Sequence, residues 1–177
     1  MRRLAFAFLL LTACTTTRPA IDLANREVVD LTYTYDAKTL YWPNSEGGFE
    51  LKRLAFGETE GGYFYASNSF CTPEHGGTHL DAPIHFAKDH RTADQIPVAQ
   101  LVAPAVVIDI TGRAAGDVDY RLTAHDVRAW EAKHGAIARG TIVLLRTGWG
   151  KRYGDRKAYF GDDRPGRTDA LHFPSYT

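Results

Sequence analysis

The sequence predicts a strand-rich α/β fold with few helices, and three observations carry that prediction. Runs of β-branched and aromatic residues, bounded by glycine, proline and other turn formers, recur along the chain. Two of them, Ala105–Ile110 (AVVIDI) and Thr141–Arg146 (TIVLLR), are continuous and apolar, as strands buried on both faces are. One segment, after Thr123, carries both the start and the stop signals of a good helix.

The elements follow in order. Arg2 and Arg3 precede the apolar run Leu4–Leu11. That run is shorter than the roughly 20 residues that span a bilayer, but it suits a secretory signal. It closes in Leu11-Thr12-Ala13-Cys14, which resembles the lipobox of bacterial lipoproteins, where the cysteine is acylated and becomes the first mature residue. The resemblance implies a signal peptide over residues 1–13, a lipid anchor on Cys14, and a place in the bacterial cell envelope, membrane-tethered and facing the periplasm. With Cys14 acylated, Cys71 has no intrachain partner and is expected to be a small buried hydrophobe. Residues 14–25 read as a tether and residues 26–177 as one folded domain.

Val28–Tyr35 (VVDLTYTY) is expected as a strand, Phe49–Phe56 as a weaker one, and Tyr63–Phe70 as a third after the Gly61-Gly62 turn. Thr123 caps the helix, Asp126 completes a box-like pair at N3, Val127 and Trp130 share a face, and Gly135 is the stop. From Gly148 onward, glycines and prolines punctuate a charged stretch. One helix cannot cover both faces of a sheet whose central strands are buried on both sides. Either a partner chain supplies the cover, as in a homodimer, or the chain is incomplete.

Composition narrows the chemistry. Lys+Arg and Asp+Glu both number 21 in 177 residues, and this balance argues against a nucleic-acid binder, which needs a basic face. Two cysteines make neither a disulfide framework nor a thiolate cluster, so a metal would rest on imidazole and carboxylate. Four of the seven histidines fall between positions 75 and 90. In His75-Gly76-Gly77-Thr78-His79-Leu80-Asp81-Ala82-Pro83-Ile84-His85, the glycines and the proline disfavour a helix. The pattern instead reads as a glycine turn leading into an extended segment, where His79 and Asp81 point to one face and the turn folds His75 back towards it. Two imidazoles and a carboxylate with an open position suit Zn²⁺ or Mn²⁺. Asp81 has a second oxygen for a second metal, and His85 is placed as a further ligand or as a proton shuttle.

This segment resembles the HxGTHxDxPxH signature of the metal-dependent cyclase family, which includes bacterial kynurenine formamidase (arylformamidase) and isatin hydrolase. Val29-Asp30-Leu31-Thr32, Tyr41-Trp42-Pro43, Leu145-Arg146-Thr147-Gly148-Trp149 and Leu171-His172-Phe173-Pro174 are similar to other family segments. The resemblance implies a swivelling β/β/α fold, metal ligation by His75, His79 and Asp81, and His85 as the catalytic acid/base. It also implies that family members continue for about another third of their length, with a distal His and Glu completing a second metal position. Ser175 stands where the family usually has glycine, and the expectation is of a member truncated at its C-terminus.

Trp42 is the aromatic residue expected to flank a substrate ring, ahead of Tyr63, Phe64 and Tyr65, and by resemblance His172 lines the pocket. His90, His125 and His134 are expected in solvent or at helix ends. The resulting expectation is a hydrolase of a small aryl amide that uses a divalent metal, Zn or Mn. Its arylformamidase-like form would convert N-formylkynurenine to kynurenine plus formate, a step of tryptophan catabolism. The alternatives are an isatin-type cyclic amide or lactone hydrolase, and a non-catalytic metal- or ligand-binding envelope lipoprotein.

Overall fold

The computed structural model describes residues 23–176. The signal peptide over residues 1–13, Cys14 and the tether as far as residue 22 lie outside the described residues. The chain divides into two compact units, Met1–Leu31 and Thr32–Thr177. In the described part of the first, a 3-10 turn, Leu23–Asn25, leads into an irregular segment in which Val28, Val29 and Leu31 are exposed. The strand expected over Val28–Tyr35 is therefore not formed. Strand propensity is realised only against a partner strand, and here the Tyr33 N–H donates to a side chain, Thr78 Oγ1, at 3.0 Å.

In the second unit, β1 (Glu50–Glu58) and β2 (Phe64–Cys71) form an antiparallel hairpin, in register from Glu50 opposite Cys71 to Glu58 opposite Phe64, with a bulge between Arg53 and Ala55. Cys71 is exposed, which corrects the expectation that it is buried. It ends a two-stranded ribbon, which has too few neighbours to enclose its own side chains.

β3 (Ala105–Asp109) is followed by α1 (Thr111–Gly116), β4 (Arg121–Leu122), α2 (Ala124–His134) and β5 (Ile142–Arg146). β3 and β5 pair in parallel, Ala105 opposite Ile142 through Asp109 opposite Arg146. After α3 (Arg156–Phe160), the short β6 (Ser175–Tyr176) pairs in parallel with β4. The second unit is thus strand-rich mixed α/β with few helices, as expected. Among the described residues, no helix is long and apolar enough to cross a membrane.

α2 begins where its sequence signals place it. Thr123 Oγ1 accepts from the Asp126 N–H at 3.3 Å, and the Asp126 carboxylate accepts from the Thr123 N–H at 2.8 Å. Gly135 ends the helix. Asp126 is buried, takes the Tyr120 hydroxyl at 2.8 Å and pairs with Arg113. The face of α2 bearing Val127 and Trp130 packs on Ile108, Ile110 and Leu122, with Tyr120, Val143 and Leu145 around them.

The two central strands are not buried on both faces. Ile108 is 3% exposed, whereas Val107 on the other face is 51% exposed and Leu144 40%. α2 covers one side, and no described element covers the other, so apolar continuity in the sequence overstated the burial. Ile108→Ala should therefore cost about 2–4 kcal/mol, whereas Val107→Ala should cost about 0.5 kcal/mol or less. Urea unfolding of the two variants measures the difference.

Next to α3, Arg164 forks onto the buried Asp162, with Nε 2.9 Å from Oδ2, and Arg167 pairs with Asp169, with Nε 2.6 Å from Oδ1. The Arg164 side chain and then its backbone N–H hold the Asp162 carboxyl well below the usual carboxylate range. Arg167 lowers Asp169 to about 2. A carboxylate with a depressed folded pKa adds stability that is complete above its unfolded pKa, near 4, and is lost as pH falls towards the folded value. Hydrogen-exchange protection in the 161–170 segment, corrected for the intrinsic pH dependence of exchange, should therefore stay flat down to about pH 4 and fall only below it.

Candidate metal site and its pocket

The site begins at a glycine turn pressed against two tyrosines. Tyr41, 5% exposed, forms an isolated antiparallel bridge with Gly76. A Cβ on Gly76 would lie far inside van der Waals contact with Tyr41 Cδ1. Gly77 has φ +61°, a left-handed conformation that glycine adopts without strain, and its Cβ position lies 3.0 Å from both Thr39 Cγ2 and Tyr35 Cζ. The Gly77 N–H donates to Leu40 O at 3.1 Å. The chain then runs on without a helix to Ala82, and Pro83 opens a single 3-10 turn, Pro83–His85.

This backbone brings His75, His79 and Asp81 together, with one ligand atom from each within 4.8 Å of the others. His75 Nδ1 lies 2.8 Å and His79 Nε2 3.2 Å from the same oxygen, Asp81 Oδ1. His79 Nδ1 faces Gly77 O at 3.2 Å, and a proton there leaves Nε2 with its lone pair towards Asp81. Two neutral imidazoles and one carboxylate converging on a point suit a borderline divalent cation such as Zn²⁺ or Mn²⁺, so the donor set fits the expected metal. The His85 ring stacks on that of His75, with centroids 3.6 Å apart.

These groups line a cavity of about 770 Å³ that is also walled by Trp42, Tyr153, Tyr159 and Phe160. Trp42 meets the edges of Phe160 and Phe173, with centroids at 5.7 and 5.8 Å. Burial, followed by the neighbouring Tyr153 and Tyr33, raises the Tyr159 phenol above its ordinary pKa and keeps it a neutral donor. Glu74 and Asp81 contribute the acidic groups of the lining, and no lysine or arginine appears in it among the described residues.

The sequence-predicted residues His75, His79, Asp81, His85 and Trp42 thus share one cavity. His172 does not line it. Its Nδ1 instead lies 2.8 Å from Asp119 Oδ2, and its backbone N–H donates to Phe160 O at 2.9 Å. Tyr63 and Phe64 sit on the exposed hairpin, outside the lining. Sequence reasoning missed Tyr153, Tyr159 and Phe160, which lie in the glycine-punctuated stretch that showed no periodicity. It also missed Tyr35, whose only signal was an aromatic run upstream of the motif, and gave Tyr41 no role beyond its place in the Tyr41-Trp42-Pro43 segment.

Known proteins resemble the chain over much of its length. An isatin hydrolase of Roseibium aggregatum is 44% identical over 109 residues, 59% of this chain and 41% of that protein. A kynurenine formamidase of Sphingopyxis alaskensis is 33% identical over 127 residues, 67% of this chain and 50% of that protein. Among solved structures, isatin hydrolase A from Ralstonia solanacearum has a TM-score of 0.71 at 36% identity, covering 84% of this chain and 58% of that one. An isatin hydrolase bound to the product analogue thioisatinate has a TM-score of 0.70 at 34% identity, covering 84% of this chain and 59% of that one. The chain therefore spans about half the length of the curated relatives it matches. Its fold resembles that of part of the solved isatin hydrolases. Because residues 29–173, which include the histidine–aspartate cluster, match the model of the family described as Putative cyclase, the chain belongs to the cyclase family.

Proposed function

We propose that this chain carries the metal-binding site and one aromatic wall of a hydrolase that opens a small cyclic aryl amide of the isatin type. The observation that carries this reading is the convergence of His75, His79 and Asp81 inside a cavity walled by Trp42, Tyr159 and Phe160. The 44% identity to an isatin hydrolase supports ring opening over the formamidase reading.

His75, His79 and Asp81 would hold the ion. A divalent cation there supplies Lewis acidity, which favours ionisation of water near neutral pH and polarises a carbonyl. The remaining work falls to the chain's own groups. Trp42, exposed and braced by its edge contact with Phe160, offers the aryl ring an aromatic surface, which excludes water and orients the amide. His85, held by its stack on His75, passes a proton to the leaving amide nitrogen as the C–N bond breaks. Water supplies the hydroxyl to the carbonyl carbon, so the products are an amine and a carboxylate. In a cyclic amide both stay on one molecule.

The second reading, hydrolysis of an aryl formamide such as N-formylkynurenine, is supported by the 33% identity to a kynurenine formamidase. The third is a metal- or ligand-binding lipoprotein without activity. Turnover of isatin and of N-formylkynurenine by the Mn²⁺- or Zn²⁺-loaded chain separates the three. Faster ring opening of isatin is the expected outcome, faster formamide hydrolysis restores the second reading, and metal binding with neither activity supports the third.

Three variants extend the test. Asp81→Ala should abolish the metal-dependent rise in melting temperature, which for one site at 100 times Kd corresponds to about 2.7 kcal/mol. His85→Ala should retain that rise and lose about 10²–10⁴-fold in kcat. We also propose that Cys14 is acylated and tethers the chain to the membrane. Cys14→Ala should then move the protein out of the membrane fraction or block its processing, and unchanged attachment would contradict the anchor.

A further inference from the structure

We propose that Tyr35 is a positioning residue for the metal ligands, its phenol fastening the Gly76–Thr78 turn so that His75 and His79 stand at the spacing a divalent cation requires. This rests on the metal-site reading above and extends it to a residue outside the motif. The Tyr35 hydroxyl lies 2.8 Å from Gly76 O and 2.8 Å from Thr78 O. One proton serves two acceptors in a three-centre bond. Those carbonyls flank Gly77, and each belongs to the residue next to a ligand: Gly76 follows His75, and Thr78 precedes His79.

The arrangement answers a specific weakness of the turn. Glycine alone adopts the φ of Gly77 freely, but glycine is also the residue least able to hold one conformation. Two carbonyl oxygens drawn towards a common point repel each other, and a donor between them reverses that repulsion. With the phenol in place, the Gly77 peptide is fixed from both sides. Its N–H meets Leu40 O at 3.1 Å, and its carbonyl receives His79 Nδ1 at 3.2 Å. The direction of that carbonyl sets which way the His79 ring presents Nε2, so a rotation of either neighbouring peptide would swing a ligand. Partners behind a ligand commonly govern affinity in this way.

Tyr33 provides an internal control. It lies two residues away and also carries a bonded phenol, but its hydroxyl donates to Gly150 O at 2.9 Å, away from the turn. Mn²⁺ titration of the full chain by calorimetry should show Tyr35→Phe weakening affinity by about 10- to 100-fold while the melting temperature of the metal-free protein hardly moves. Tyr33→Phe should leave affinity unchanged. p-Aminophenylalanine at position 35, which places N–H donors at the same point, should restore most of the lost affinity.

Unchanged affinity in Tyr35→Phe would overturn the proposal, and so would parallel losses in both phenylalanine variants that track their melting temperatures. A variant-free measurement covers the case in which Tyr35→Phe does not fold. With ring-labelled tyrosine in the unaltered chain, the Tyr35 Cζ resonance should shift on Zn²⁺ addition with the same midpoint as the histidine resonances. A silent Tyr35 would refute its role. Failure of the unaltered chain to bind Mn²⁺ or Zn²⁺ at all would instead sink the metal-site reading itself, which keeps the two failures distinct.

Discussion

Everything at the site depends on one steric constraint, the closeness with which Gly76 and Gly77 pass over the rings of Tyr41 and Tyr35. No side chain fits at Gly76, and the backbone at Gly77 takes a left-handed turn that places its Cβ position 3.0 Å from Tyr35. That contact reverses the chain within a few residues and lets a histidine before the turn meet a histidine and an aspartate after it. An alanine at Gly76 would have to push aside Tyr41, which is buried and shares a 2.5 Å hydrogen bond with Thr72, and one at Gly77 would be strained at φ +61°. The metal cluster is therefore a consequence of backbone packing as much as of ligand chemistry.

The surroundings divide between a small interior and open surface. The core built on Ile108, Ile110 and Leu122 is small, and the Asp126 network ties α2 to the segment before it through the Thr123, Tyr120 and Arg113 side chains. The outer face of β3 and β5 and much of the β1–β2 hairpin, including Leu51, Phe56, Phe64 and Phe70, remain exposed. The solved relatives extend well beyond the matched part, which covers 58–59% of their chains.

The motif was legible because its chemistry is local. Ligand types, glycines and proline lie within eleven consecutive positions, and their spacing dictates which side chains can meet. The α2 boundaries were legible for the same reason, since capping is a contact over three residues. The missed features are long-range. Val28–Tyr35 has the composition of a strand but no partner strand, and Val107 and Leu144 sit in apolar runs although one face of the sheet is uncovered. Tyr153, Tyr159 and Phe160 reach the cavity from more than 60 residues downstream of the motif, through a stretch with no period to read. His172, expected in the pocket, is drawn instead to Asp119 across 53 residues.

X-ray absorption of the Zn²⁺-loaded chain tests the central claim most directly, because it reports the atoms around the ion and not merely that an ion binds. Two imidazole nitrogens and carboxylate or water oxygen at about 2.0–2.2 Å, with the imidazole contribution reduced to that of one ring in His79→Ala, is the predicted result. A first shell of oxygen alone, unchanged in that variant, would show that the ion sits elsewhere and would contradict the assignment of His75, His79 and Asp81 as its ligands.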